Sequence, residues 1–131
     1  MMIANKLQNK ILRIANNLFE LPKGRCKHFS FLLSGNKIVS MGWNNTNKTH
    51  PMAQRFKYPF ATIHSELHCV INSNIPVGEI YRHIMVNVRV SRDGLQMSRP
   101  CVICQNMLTS FGLLKVIYTT KNGWLQLNIK D

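Results

Sequence analysis

The sequence predicts a three-layer α/β/α domain on one mixed sheet of five strands that ends in an antiparallel hairpin. Three observations carry this. Helix-like and strand-like runs alternate through the second half of the chain, Gly35-Asn36 joins two apolar runs near the start, and Asn122-Gly123 joins two more at the end. With 131 residues the chain can bury one core, so residues 1–131 are read as a single domain. A composition of 45% hydrophobic and 17% charged residues, without repeats or low-complexity runs, is that of a compact globular protein.

Ile3, Leu7, Ile11, Ile14 and Leu18 recur at three- and four-residue spacing, which predicts an amphipathic helix from residue 2 to about 20, ended by Pro22 and Gly24. HFSFLLS (28–34) and KIVSMGW (37–43) read as strands paired antiparallel across Gly35-Asn36, a dipeptide suited to the positive φ of a tight turn. Residues 44–60 show no sustained period and read as a long functional loop. A helix is expected from 64 to about 73, a strand over IYRHIMVNVRV (80–90), and a helix over CVICQNMLTSF (101–111) ended by Gly112. KVIYTT (115–120) and WLQLNIK then form the closing hairpin, because Asn-Gly between apolar runs is the strongest short hairpin signal.

Apolar stretches fall well short of the roughly 20 residues of a membrane span, and Lys6, Lys10 and Arg13 interrupt the N-terminal run, which is read as neither leader nor anchor. Four cysteines without a leader point to a reducing, cytoplasmic setting, where close cysteines bind metal or do chemistry more often than they form disulfides. Seventeen Lys and Arg against five acids give a net charge of +12, which favours nucleic acid or small phosphorylated molecules as partners. The bland alternative is a soluble basic surface, since the charges are scattered apart from KGRCK (23–27) and RFK (55–57).

Two motifs carry chemistry. PCVIC (100–104) places Pro100 in the first turn of a helix, with Cys101 and Cys104 three apart on one side, at the end where backbone N–H groups are unpaired. The positive end of the helix dipole favours thiolates there, and thiolate is the form that binds Zn²⁺. Two sulfurs do not make a site, and His64 at the start of the preceding helix is the natural third ligand. HSELH (64–68) also holds Glu66, which these letters alone leave open as metal ligand, proton carrier or surface charge. His64 and Glu66 would diverge by about 200° within a helix. If 61–63 is an extended lead-in and His64 opens the helix, both can face one point. A closed four-ligand zinc using His64, His68, Cys101 and Cys104 is the structural alternative, because histidines four apart share a helix face.

HSE (64–66) followed by PCVIC matches the H-x-E…P-C-x-x-C signature of zinc nucleobase deaminases. The chain resembles the cytidine/deoxycytidylate deaminase superfamily over nearly its whole length, and GWN (42–44), KTHP (48–51), VSRDG (90–94) and the run from SRPC to IYTT look most like small phage-encoded members. The resemblance implies a cytidine deaminase-like fold and Zn²⁺ held by His64, Cys101 and Cys104 with the fourth position open. It also implies that Glu66 shuttles the proton in a hydrolysis that turns cytosine into uracil or adenine into hypoxanthine.

Asn44 matches the asparagine of a G-x-N motif that contacts base or sugar, and a turn-forming role is its alternative. His50, Tyr58 and Phe60 fall in the expected pocket wall, with Phe60 as the candidate to stack on a base or to fill the core. His68, Cys69, Cys26, His28 and His83 are given packing or surface roles. The terminal hairpin is like that of deaminases of free nucleosides, whereas GWN resembles tRNA adenosine deaminases. Three readings follow: a deaminase of a free cytosine nucleoside or nucleotide, a nucleic-acid-editing deaminase, and a zinc-stabilised basic binding module without catalysis. Arg55, Lys57, Arg92 and Arg99 are the candidate phosphate contacts, and a homo-oligomer is compatible with the sequence.

Overall fold

The computed structural model describes residues 3–22, 27–45, 50–58, 63–113 and 115–129. Helix α1 (Asn5–Asn17) buries Leu7, Ile11 and Ala15, which sit four apart and make one apolar stripe. The stripe packs on one face of the sheet, with Phe29, Phe31 and Leu33 of β1 (Lys27–Ser34) and Val86, Val88 and Val90 of β3 (Ile84–Ser91). Side chains alternate along a strand, so Ser30 and Leu32 of β1, with Met85 and Asn87 of β3, point to the opposite face. Helices α3 (Ser65–Ser73) and α4 (Val102–Ser110) cover that face, and their Leu67, Val70, Met107 and Leu108 join Leu32, Met85 and Val116 in a second core. Truncating any of these fully buried side chains to Ala costs about 2–5 kcal/mol.

The strand order is β2 (Lys37–Trp43), β1, β3, β5 (Lys115–Thr120), β6 (Gly123–Asn128). β3 and β5 run parallel, and the other neighbours in this order are antiparallel. A parallel pair requires a long crossover, and α4 lies within the one that joins β3 to β5. Gly35 (φ +60°) and Gly123 (φ +129°) supply the positive φ at the two hairpin turns. The expected α/β/α architecture and its closing hairpin are therefore present.

Three local expectations change. The sheet has a sixth strand, β4 (Gly94–Gln96), which pairs with β3 from Arg89 to Ser91. β5 covers only Met85 to Asn87 of that edge, and β4 takes up the hydrogen-bonding groups beyond it. The strand expected from Ile80 begins at Ile84, because Val77–Arg82 winds into a 3-10 helix after Pro76. The loop after β2 contains a short helix, α2 (Pro51–Arg55), with Pro51 in its first turn and the ring Nδ1 of its N-cap His50 accepting from the Met52 N–H at 3.1 Å.

Candidate active site

α3 and α4 begin at the same place. His64 is the N-cap of α3, extended at φ −74° and ψ 156°. The residue before it, Ile63, exchanges two backbone hydrogen bonds with Asn45, at 2.8 and 2.9 Å. That bridge holds Ile63 in an extended pairing, and His64 opens the helix instead of lying within it. Cys101 is the N-cap of α4, and its Sγ accepts from the Cys104 N–H at 3.4 Å. Pro100 therefore stands one residue before the cap and not in the first turn, because the Cys101 sulfur itself takes the N–H of that turn.

His64 Nδ1 lies 3.6 Å from Cys101 Sγ and 3.5 Å from Cys104 Sγ, and the three ligand atoms lie within 4.8 Å of one another. One imidazole nitrogen and two sulfurs at this spacing suit a borderline-soft, tetrahedral ion such as Zn²⁺ and suit Mg²⁺ or Ca²⁺ poorly. Among the described residues no fourth His, Cys, Asp or Glu joins the group. His68, the fourth ligand of the closed alternative, is turned elsewhere: its Nδ1 accepts from the Trp43 N–H at 3.0 Å, and its ring meets Trp43 edge-on at 4.7 Å.

The two thiols stand in different surroundings. Cys101 is pulled down to about 4, chiefly by its hydrogen bond with Cys104 and then by His64, whereas burial, then the hydrogen bond with Cys101 and the Glu66 charge, push Cys104 well above its ordinary value. Two sulfurs so close share one negative charge until a cation joins them. His64 is raised by its hydrogen bond to Cys101, against the opposing effect of burial. Tyr58 closes the back of the cluster, with its hydroxyl 2.8 Å from Cys104 Sγ and its ring centroid 4.7 Å from that of His64. Burial and then the Cys104 charge push the phenol upward.

Glu66, in the first turn of α3, is 6% exposed. Burial raises its pKa, opposed by its own backbone N–H, the His64 charge, Asn87 and Ser65. Both carboxylate oxygens are held: Oε1 lies 3.1 Å from Ser65 Oγ, and Oε2 accepts from Asn87 Nδ2 at 3.0 Å. Ser30 Oγ closes a ring, 2.8 Å from Ser65 Oγ and donating to Asn87 Oδ1 at 2.7 Å. Asn87 Nδ2 also donates to the Ser98 carbonyl at 3.1 Å. These are five contacts, while the amide and the two hydroxyls bring four protons. One further proton, on Oε1 of Glu66, completes every contact.

Asn44 stands at the end of β2, and its Oδ1 accepts from the His28 N–H at 3.0 Å. That bond orients the carboxamide against β1, beside the Asn45–Ile63 bridge that leads to His64. Phe60 lies outside the described residues, as do Cys26 and Lys48-Thr49.

Two solved structures of a dCMP deaminase from the cyanophage S-TIM5 are similar to this chain. The apo form aligns with a TM-score of 0.62 at 15% identity, covering 90% of this chain and 86% of that one. The form in complex with dCMP and dUMP gives a TM-score of 0.58 at 15% identity, over 89% and 83%. The chain has the cytidine/deoxycytidylate deaminase fold. No family model and no curated protein sequence matches it.

Within this deaminase fold, His64, Cys101 and Cys104 come together, and Glu66 lies two residues beyond His64, buried in the first turn of α3. Tyr58, expected in the pocket wall, lies against Cys104 and His64, whereas Ser30, Ser65 and Asn87 were not among the candidates for the site. Their signal was weak but present: Ser30 and Asn87 are lone polar residues in otherwise apolar strand runs, FSFLL and MVNV, on the face that the helices bury. His50 caps α2, and His83 Nδ1 lies 3.1 Å from the Glu79 carbonyl oxygen. Cys69 is buried at 0% exposure, and burial pushes its thiol up to about 12, so it is inert packing. Among the described residues no helix is long and apolar enough to cross a membrane.

Proposed function

We propose that this protein is a zinc-dependent hydrolytic deaminase that converts cytosine to uracil in a free cytosine nucleotide, dCMP being the first candidate, in the cytoplasm. The observation that carries the reading is the pairing of the His64/Cys101/Cys104 cluster with a buried carboxyl, Glu66, two residues from His64 in the first turn of α3. Three ligands leave the fourth position of a tetrahedral ion open, which separates a catalytic from a structural centre. Zn²⁺ held there supplies an acidified water as nucleophile.

The chain's own groups do the rest. Glu66 would take a proton from the attacking water on a carboxylate oxygen and deliver it to the ring nitrogen beside the carbon under attack. It then carries a second proton to the departing amine, so that water enters and ammonia leaves. A ring of hydrogen bonds that is one proton short when Glu66 is ionised, and complete when it is protonated, suits a carboxyl that must hold both states in turn. Tyr58 and the second core exclude water from behind the cluster.

The similar cyanophage protein is a dCMP deaminase solved with dCMP and dUMP, which supports a mononucleotide. The net charge of +12 favours the second reading, editing of cytosine or adenine in single-stranded DNA or tRNA. Ammonia release from deoxycytidine, dCMP, dCTP, single-stranded DNA and tRNA tests the two together. Release from dCMP with a shallow dependence on salt is expected. Oligonucleotide deamination that greatly outpaces it, with binding that weakens steeply as salt rises, installs the editing reading. Glu66→Gln should keep zinc and fold while activity drops by several orders of magnitude; a wild-type rate in this variant would show that Glu66 is not the proton carrier, and no ammonia release from any of the five substrates would leave only a binding module.

A further inference from the structure

We infer that Asn87 is the positioning residue that aims the Glu66 carboxylate at the reacting centre, and that Ser30 acts through it. This rests on the reading of Glu66 as the proton carrier. The amide of Asn87 can stand only one way round. The Ser98 carbonyl and the ionised carboxylate accept and cannot donate, so Nδ2 must face both of them, which leaves Oδ1 for the Ser30 hydroxyl. All three of its hydrogen-bonding sites are thereby occupied at 2.7–3.1 Å by groups on three different elements or loops.

Asn87 is held in turn by the backbone around it. Its own carbonyl accepts from Ser98 Oγ at 2.9 Å, and Ser98 Oγ accepts from the Thr119 N–H at 2.7 Å, which fastens the ring across β3 and β5. Ser30, Ser65, Glu66 and Asn87 are all buried, at 0–6% exposure. A cluster of this kind contributes little net stability over an apolar set of the same shape. What it supplies is direction: Oε2 of Glu66 is pinned from the sheet, and the rotation of the carboxylate about its last bond is stopped. A carboxylate that must accept a proton on one side and release it on the other needs that orientation, and a displacement of about 1 Å can cost about 100-fold in rate.

The test is kinetic. In zinc-loaded protein, Asn87→Ala should lower kcat for dCMP by about 10–100-fold, the range for residues that orient a catalytic or ligating group, with KM within about twofold and one zinc per chain retained. Ser30→Ala should lower kcat by about 3–10-fold. The double variant should be no slower than Asn87→Ala alone, since one residue acts through the other, whereas two independent packing defects would multiply. A kcat for Asn87→Ala within threefold of wild type, a change confined to KM, or multiplying losses in the double variant would overturn the inference. Should Asn87→Ala fail to fold, Ser30→Ala decides alone: a kcat fall of threefold or more at unchanged KM upholds it, and an unchanged kcat overturns it. An inactive, zinc-loaded wild type would sink the deaminase reading and this inference with it, while an active wild type with indifferent variants sinks the inference only.

Discussion

Gly42 is where β2 and α3 touch backbone to backbone. A Cβ built there would stand 2.2 Å from the Cys69 nitrogen, 2.7 Å from the His68 carbonyl carbon and 2.7 Å from the Ser65 oxygen. None of these atoms belongs to a side chain that can swing away. Restoring a contact of about 3.5 Å means moving α3 off the sheet by about 1.3 Å. Gly42→Ala should therefore cost about 3 kcal/mol, the upper end for one methyl forced into a packed interior. In a domain of this size that lowers the melting temperature by about 10 °C. The collision also involves the first turn of α3, between His64 and Glu66, so the rate should fall by about 100-fold even in molecules that remain folded and loaded. Thermal melts of zinc-loaded protein, with initial rates well below the transition, measure both effects. Gly78→Ala is the control, because a Cβ at Gly78 meets nothing within 4 Å. A Gly42→Ala protein that melts within about 2 °C of wild type and keeps its rate within twofold would refute the close-approach argument.

Metal analysis should find one zinc per chain, lost on replacing His64, Cys101 or Cys104 by Ala, with a lowered melting point because metal binding is coupled to folding. In chelator-treated protein Cys104→Ala should remain the more destabilising of the two, since Cys104 is buried whereas exposed Cys101 loses only its cap on α4; equal melting of the two apo variants would contradict that assignment. His28 offers a test by pH. Burial, then Arg89 and His64, hold its pKa at about 4, below its unfolded value of 6.5. A depressed pKa contributes stability that is present above pH 6.5 and lost as pH falls through about 4. Wild type should thus lose up to about 2 kcal/mol more than His28→Gln between pH 6.5 and pH 5 in urea unfolding, and parallel curves would dismiss the effect.

The meeting of His64, Cys101 and Cys104 was legible because these residues sit at helix starts, where a few adjacent letters determine both the cap and the candidate ligand. HSE and PCVIC need no partner to be recognised. The ring around Glu66 was not legible, because Ser30 and Asn87 are single letters in apolar strands that come together only through the Ser30–Asn87 register of β1 and β3. Long periodic elements, such as α1 and the closing hairpin, were read correctly. β4, with three residues, and α2, with five, are too short to show a period and exist through sheet-edge pairing and a capped proline turn. Gly42 was noticed as part of GWN, yet its physical reason, the contact with α3, belongs to tertiary structure.

The separation of the ligands along the chain has a kinetic consequence. His64 and the two cysteines lie on either side of β3 in the chain, and in the native structure they meet where α3 and α4 begin on the sheet in which β3 pairs with β1. We predict that closing such a loop comes late on the way to the native state, so that bound zinc would contribute little to the barrier that the metal-free chain climbs. Interactions absent from the transition state slow unfolding and leave refolding nearly unchanged. The ion should accordingly act as a latch on a finished molecule: chelation steepens the loss of native protein with time, while a chain refolding from urea reaches the sheet at nearly the same pace with zinc or without it.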